Sequence, residues 1–187
     1  VGILMPTSPE LVEVFFAVAF CGAVSVLMNA RYRANELAYV VENADLVTVI
    51  TTDVIADQVD FVERLNTAFP DLQNANDPRK LNTAAAPRLR NILMLGTSYP
   101  KGFVAESEFY KLATQIDPIS VHRSRVATYV RDTGMMLYTS GTTANPKGCE
   151  ISHEAMTRES IVLGRHRFQL TQEDKIWSPL PLFHIAA

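Results

Sequence analysis

Met135-Met136-Leu137-Tyr138-Thr139-Ser140-Gly141-Thr142-Thr143-Ala144-Asn145-Pro146-Lys147-Gly148 is the stretch that decides how this 187-residue chain is read. Its first four residues are apolar or aromatic and read as a buried strand. Then come hydroxyl side chains at Thr139, Ser140, Thr142 and Thr143, glycines at 141 and 148, and a single lysine, Lys147. Ser152, just beyond, is a plausible helix start. A strand that opens into a hydroxyl- and glycine-rich loop is a cradle for phosphate. Backbone N–H groups and hydroxyls donate to the oxygens, glycine lets the main chain approach, and lysine supplies charge. Many Ser/Thr/Gly clusters are plain surface turns; the preceding strand and the Pro-Lys-Gly ending set this one apart. A Walker A loop is excluded. That motif follows Gly-Lys with Ser or Thr to hold magnesium, whereas Lys147 stands between Pro146 and Gly148.

Tyr138 to Gly148 resembles the phosphate-binding signature of the adenylate-forming superfamily, the AMP-dependent synthetases and ligases. Downstream, Pro179-Leu180-Pro181-Leu182-Phe183-His184 is similar to the Pro-Leu-Phe-His segment of the acyl-CoA ligase branch, and Val1 to Asp53 has the same look. Two residues depart from the pattern. Ala144 stands where the family usually has glycine, which puts the loop's backbone angle there in question. Cys149 replaces a more usual aliphatic residue, a mild change for a small side chain that behaves as an apolar one when buried.

The resemblance implies a two-step reaction. A carboxylate attacks the α-phosphate of ATP, giving an acyl-adenylate and pyrophosphate; coenzyme A then displaces AMP. Thr139, Ser140, Gly141, Thr142, Thr143, Lys147 and Gly148 are the implied triphosphate contacts. Lys147 is also expected to offset charge as pyrophosphate departs, and His184 to lie near the carboxylate, so these two are the catalytic candidates. The implied substrates are a carboxylic acid, ATP and coenzyme A, with Mg2+ accompanying the nucleotide; no metal-ligand set is read from the protein itself. The family's adenine, ribose and C-terminal lysine motifs are not found. The expectation is therefore that residues 1–187 are part of one AMP-binding N-terminal domain, truncated at both ends, without the C-terminal domain and inactive alone. A peptide-synthetase-type adenylation domain and a non-catalytic remnant are the alternatives.

Composition is that of an ordinary globular protein, 48% hydrophobic and 20% charged. A net charge of −3 argues against nucleic acid or an anionic membrane as partner. Cys21 and Cys149 form neither a metal spacing nor a disulfide framework, which points to a reducing cytoplasm. Val14 to Met28 is the most apolar run, short of the ~20 residues a bilayer requires. It reads better as a helix followed by a strand, and no signal peptide is expected.

Strand-like runs at Gly2–Met5, Val24–Met28, Leu46–Ile50 and Asn91–Leu95 alternate with helical patterns. The helices are expected from Ser8 to about Cys21, Glu36 to Glu42 (capped by Asn35), Val54 to Ala68 and Glu106 to Thr114. This alternation predicts βαβ units and an α/β fold with largely parallel sheets flanked by helices. Asp71 to Arg88, rich in Asn, Asp, Ala and Pro, reads as a mobile surface loop. Asp117 to Asp132 reads as a connection, His153 to Arg167 as a helix with Ile161 and Leu163 inward, and Trp177 to Leu182 as a further strand.

Overall fold

The computed structural model describes residues 1–139, 145–177 and 179–184. The chain alternates strand and helix from its start: β1 (Gly2–Leu4), α1 (Pro9–Phe20), β2 (Ser25–Leu27), α2 (Ala34–Asn43), β3 (Thr48–Thr52), α3 (Phe61–Ala68), β4 (Asn91–Leu95), β5 (Val104–Ala105) and α4 (Glu106–Ala113). Then follow α5 (Pro118–Ala127), β6 (Thr133–Tyr138), β7 (Gly148–Ser152) and α6 (His153–Ile161), the last continued by a π-helical stretch, Val162–Arg167. The strands form one sheet in the order β5-β4-β3-β1-β2-β6-β7. Every pairing is parallel except β6 with β7. The expected α/β architecture, largely parallel and flanked by helices, is present.

Local chemistry sets the helix starts. Ser8 Oγ accepts from the Leu11 N–H at 3.3 Å, with Pro9 at the first helical position and Glu10 in the first turn. Asp60 caps α3 through Glu63 N–H at 2.9 Å, and Ser152 caps α6 through Ala155 N–H at 3.2 Å. Each such cap contributes about 1 kcal/mol.

The period-2 pleat sorts the strand side chains into two cores. Leu4, Val26, Met28, Val49, Ile92 and Met94 face α2 and α3, where Leu37, Val40, Phe61 and Leu65 are buried. Ile3, Met5, Leu27 and Leu137 belong to a second core with Leu11 and Val18 of α1. One row crosses three strands, Ile3 beside Leu27 beside Leu137. Truncating a fully buried member such as Leu37 costs about 2–5 kcal/mol. A sheet covered on both faces in this way keeps its chemistry at its edges, beyond the strand ends.

Several expectations are corrected. The helix foreseen from Val54 starts only at Phe61, because Asp60 supplies the cap. Glu36, not Asn35, works at the start of α2: its carboxylate accepts from the Arg33 N–H at 2.8 Å. The 71–88 stretch is pinned rather than loose, with a 3-10 turn (Pro70–Asn74) and Leu72, Leu81 and Ala86 buried. Its apolar residues are scattered without period, which hid them. Asp117 and Pro118 open a helix, α5, where a connection was expected. Ile161 is exposed, as is Cys149. Among the described residues from 177 to 182, none lies in a strand.

Candidate functional site

The loop after Tyr138 is a hairpin loop. Sequence reading took it as a passage from strand to helix; a strand, β7, intervenes and turns back antiparallel to β6, pairing Leu137 with Cys149 and Tyr138 with Gly148. The Thr139 N–H donates to the Lys147 C=O at 3.0 Å and closes the stem. The Lys147 side chain is exposed above that closure. Of the expected phosphate contacts, Thr139, Lys147 and Gly148 are thus seated at the stem. Ser140, Gly141, Thr142 and Thr143 lie outside the described residues, as does Ala144.

Gly148 does its work inside the sheet. A Cβ there would lie 2.9 Å from Met136 Sδ and 3.3 Å from Tyr138 Cζ. Its missing side chain leaves room for the Tyr138 ring to lie across the strand pair, as aromatic residues do over cross-strand glycines. The phenol then reaches Asn43, the last residue of α2, and donates to its Oδ1 at 2.7 Å. Burial, together with Tyr39, Tyr32 and Glu42 nearby, pushes the Tyr138 hydroxyl up to about 12. It is therefore a neutral donor at any ordinary pH.

The Pro179–His184 segment arrives at the same edge of the sheet by another route. The Leu182 N–H donates to Thr7 Oγ1 at 3.1 Å. Leu182 and Phe183 pack against the core of Ile3, Met5 and Leu137, and the His184 N–H closes a turn onto the Pro181 C=O at 2.9 Å. Thr7 follows β1 and Thr139 follows β6. Because β1, β2 and β6 run parallel in register, both threonines stand beyond carboxyl ends of strands.

The topology singles out that edge. The chain leaves β1 toward β2 on one side and leaves β3 toward β4 on the other, so a crevice opens beyond their carboxyl ends, the place where open α/β sheets bind ligands. On the β3 side, Asp53 accepts from the Ser98 N–H at 2.6 Å and the Thr97 N–H at 3.1 Å, tying the exit of β3 to that of β4. Gly96 permits this: a Cβ on it would sit 1.9 Å from Asp53 Oδ1. Sequence reading gave neither Thr7 nor Asn43 a part in the site. A hydroxyl directly after a central parallel strand was the available signal for Thr7; Asn43 carried none.

A fold of this kind, with a hydroxyl-rich hairpin loop at the carboxyl edge, can be compared with known proteins. The family model for AMP-binding enzymes, described as "AMP-binding enzyme", matches residues 1–187. The chain belongs to the AMP-binding enzyme family. Its relatives include the human long-chain fatty acid transport protein 6, 29% identical over 100% of this chain and 26% of that protein. An acyl-CoA ligase of Ajellomyces capsulatus is 28% identical over 98% of this chain and 29% of its own length. The 4-coumarate–CoA ligase 4 of Arabidopsis thaliana is 27% identical over 100% and 30%. This family member thus spans under a third of the curated relatives it matches.

Among solved structures, a long-chain-fatty-acid-CoA ligase from Archaeoglobus fulgidus aligns over 99% of this chain and 31% of that one, with a TM-score of 0.61 and 17% identity. An anthranilate CoA ligase solved with anthranoyl-AMP aligns over 88% and 27%, with a TM-score of 0.60 and 18% identity. At these identities the likeness speaks for the fold.

One cavity of the family member runs along a face of the sheet and reaches the carboxyl edge at Met5, Ser8, Thr52 and Gly96. It is an apolar groove of about 480 Å³ between α1 and α4, floored by Ile50 and Leu93 and walled by Val14, Val18, Phe109 and Tyr110. Its lining includes neither the loop stem nor His184, so the candidate site is the part of the edge beyond β1 and β6. Among the described residues no group of three or more His, Cys, Asp or Glu side chains is placed to hold a metal ion, and no helix is long and apolar enough to cross a membrane.

Proposed function

We propose that this chain is part of the N-terminal AMP-binding domain of an acid–thiol ligase, which activates a carboxylic acid with ATP and passes the acyl group to coenzyme A. The observation that carries the reading is the Leu182–Thr7 hydrogen bond, which brings the Pro181–His184 segment to the sheet edge from which the Thr139–Lys147 loop departs. In this reading Thr139, Ser140, Gly141, Thr142, Thr143, Lys147 and Gly148 form the triphosphate cradle. Its main-chain and hydroxyl donors orient the α-phosphate for in-line attack, and the Lys147 ammonium stands where negative charge gathers as pyrophosphate departs. Magnesium supplies further charge neutralisation when it enters with the nucleotide. His184, beside the entry of the acid, orients the carboxylate through its imidazole. The work asked of the protein is mostly positioning and electrostatics, for which a rigid stem below a donor-rich loop is suited.

The relatives' names, which include acyl-CoA and 4-coumarate–CoA ligases, support coenzyme A as the acceptor over a carrier protein. Exposed, unpaired Cys21 and Cys149 suit a reducing cytoplasm. The chain alone is expected to be inactive, since the adenine, ribose and C-terminal lysine motifs are not among its residues.

The test is carboxylate-dependent ATP–pyrophosphate exchange by the full-length polypeptide against a panel of short, medium, long and aryl acids, followed by thioester formation with coenzyme A. Exchange with at least one acid, and transfer to coenzyme A, are expected. Exchange driven only by amino acids, with transfer to a carrier domain, would replace the reading with a peptide-synthetase one; no exchange with any acid would leave a non-catalytic remnant.

A further inference from the structure

We propose that Tyr138 and Asn43 form a positioning pair for the phosphate loop: anchored on the end of α2, the phenol fixes the strand from which the loop departs and so sets how tightly the loop holds a nucleotide triphosphate. The proposal rests on the functional reading of the loop above and adds to it two residues that touch no substrate in that reading.

The anchor is firm at both ends. α2 is held by Leu37, Val40 and Val41, each at most 1% exposed, and Asn43 is its final residue. Tyr138 is the final residue of β6, on the face of the sheet that packs against α2 and α3. The bond between them, 2.7 Å, spans 95 residues of sequence. Directly after Tyr138 comes Thr139, whose N–H closes the stem on the Lys147 C=O. Directly across from Tyr138 is Gly148, whose bare Cα leaves the ring its place. One side chain thus joins the α2 layer to the residue that opens the loop and to the strand that closes it.

A stem held this way presents Thr139 and Lys147 preorganised, whereas a stem free to shift must be ordered at the moment of binding. Without the hydroxyl the ring keeps its packing, so the fold survives while the register of Thr139 and Lys147 loosens. The loss is that of one hydrogen bond, about five- to tenfold in an equilibrium or rate.

The experiment uses the full-length polypeptide with four changes: Tyr138→Phe, Asn43→Leu, the two combined, and Asn43→Asp. Two quantities are read: amide exchange at Thr139, and KM for ATP against KM for the acid in pyrophosphate exchange. Tyr138→Phe and Asn43→Leu should each raise KM for ATP about five- to tenfold with KM for the acid unchanged, and speed exchange at Thr139. The double variant should be no worse than either single one. Asn43→Asp, which keeps an acceptor for the phenol, should behave as the unaltered protein. A KM for ATP unmoved by either single change, or effects that add in the double variant, overturns the pair. A purely thermal defect with unaltered kinetics does the same. Should the unaltered polypeptide show no pyrophosphate exchange, the ligase reading is what fails; Thr139 exchange then judges the pair alone, and protection unchanged in both single variants overturns it.

Discussion

Thr7 and Leu182 are joined across almost the whole chain: the Leu182 N–H donates to Thr7 Oγ1 at 3.1 Å. The acceptor sits just past the central strand, and the donor two residues before His184. This contact fastens the last described segment to the oldest part of the sheet, in sequence terms, and sets where the histidine stands.

Thr7→Val keeps the shape of the side chain and removes the acceptor. Because the contact is open to water, the expected cost in stability is small, about 0.5–1.5 kcal/mol. The larger effect should fall on kcat/KM for the acid, with Thr7→Ser near normal. Amide exchange at Leu182, compared between the two variants, checks the origin of the effect.

Lys147→Ala in the full-length polypeptide should leave the melting temperature unmoved, since the side chain is exposed and only its C=O is used by the stem. Pyrophosphate exchange should fall on the order of 10²-fold, the scale of losing one charge-stabilising group. An unchanged exchange rate would make Lys147 a bystander.

His184→Ala should lower kcat/KM for the acid about ten- to hundredfold, the worth of one oriented polar contact at the reacting centre. KM for ATP should hold, because the triphosphate is assigned to the loop. A drop in melting temperature with kinetics per folded molecule preserved would remove His184 from the site.

Gly148→Val places branched carbon where Met136 Sδ and the Tyr138 ring already lie. Overpacking of this kind costs about 1–3 kcal/mol. The tyrosine ring must move, so the variant should combine a lowered melting temperature with a raised KM for ATP, and Gly148→Ala should show a weaker form of both. Gly148 was expected to let phosphate approach; a variant with an intact fold and normal ATP affinity would show that neither role is needed.

Asp53 gives the fold a dependence on acid. Burial alone would raise its carboxyl, but Ser98 and Thr97, through main-chain N–H groups and hydroxyls, outweigh it and hold the group below the usual carboxylate range. The folded state thus favours the ionised form. Its contribution is complete above the ordinary carboxylate value and disappears as pH falls through the lower, folded one. Melting temperature measured from about pH 5 downward should fall more steeply for the unaltered protein than for Asp53→Asn, and parallel curves would refute the assignment.

The sequence disclosed the alternation of strands and helices because parallel strands buried on both faces appear as short apolar runs, and because Ser8-Pro9-Glu10 is an unambiguous helix start. It marked the candidate loop, Thr139 to Lys147, through its hydroxyls and Lys147. It concealed β7, since Gly148-Cys149-Glu150-Ile151-Ser152 offers only Cys149 and Ile151 as apolar residues, too short a pattern to stand out; an edge strand, exposed at three of its five positions, has no need of more. It concealed the anchoring of 71–88, where single leucines are buried from irregular backbone. Contacts between distant segments, Tyr138 with Asn43 and Leu182 with Thr7, follow from strand order, and strand order is set by packing that no local pattern encodes.

The β6–β7 hairpin that carries the candidate loop also bears on how the molecule assembles. β6 finds β7 across a few residues, whereas it finds β2, pairing Leu137 with Leu27, only across more than half the chain. Hairpins close in about 1–10 μs, while distant parallel pairings wait on the far slower gathering of the whole chain. The stem of the loop is therefore due to form as an early, self-contained unit, and the sheet is completed by docking that unit, already shaped, onto β2.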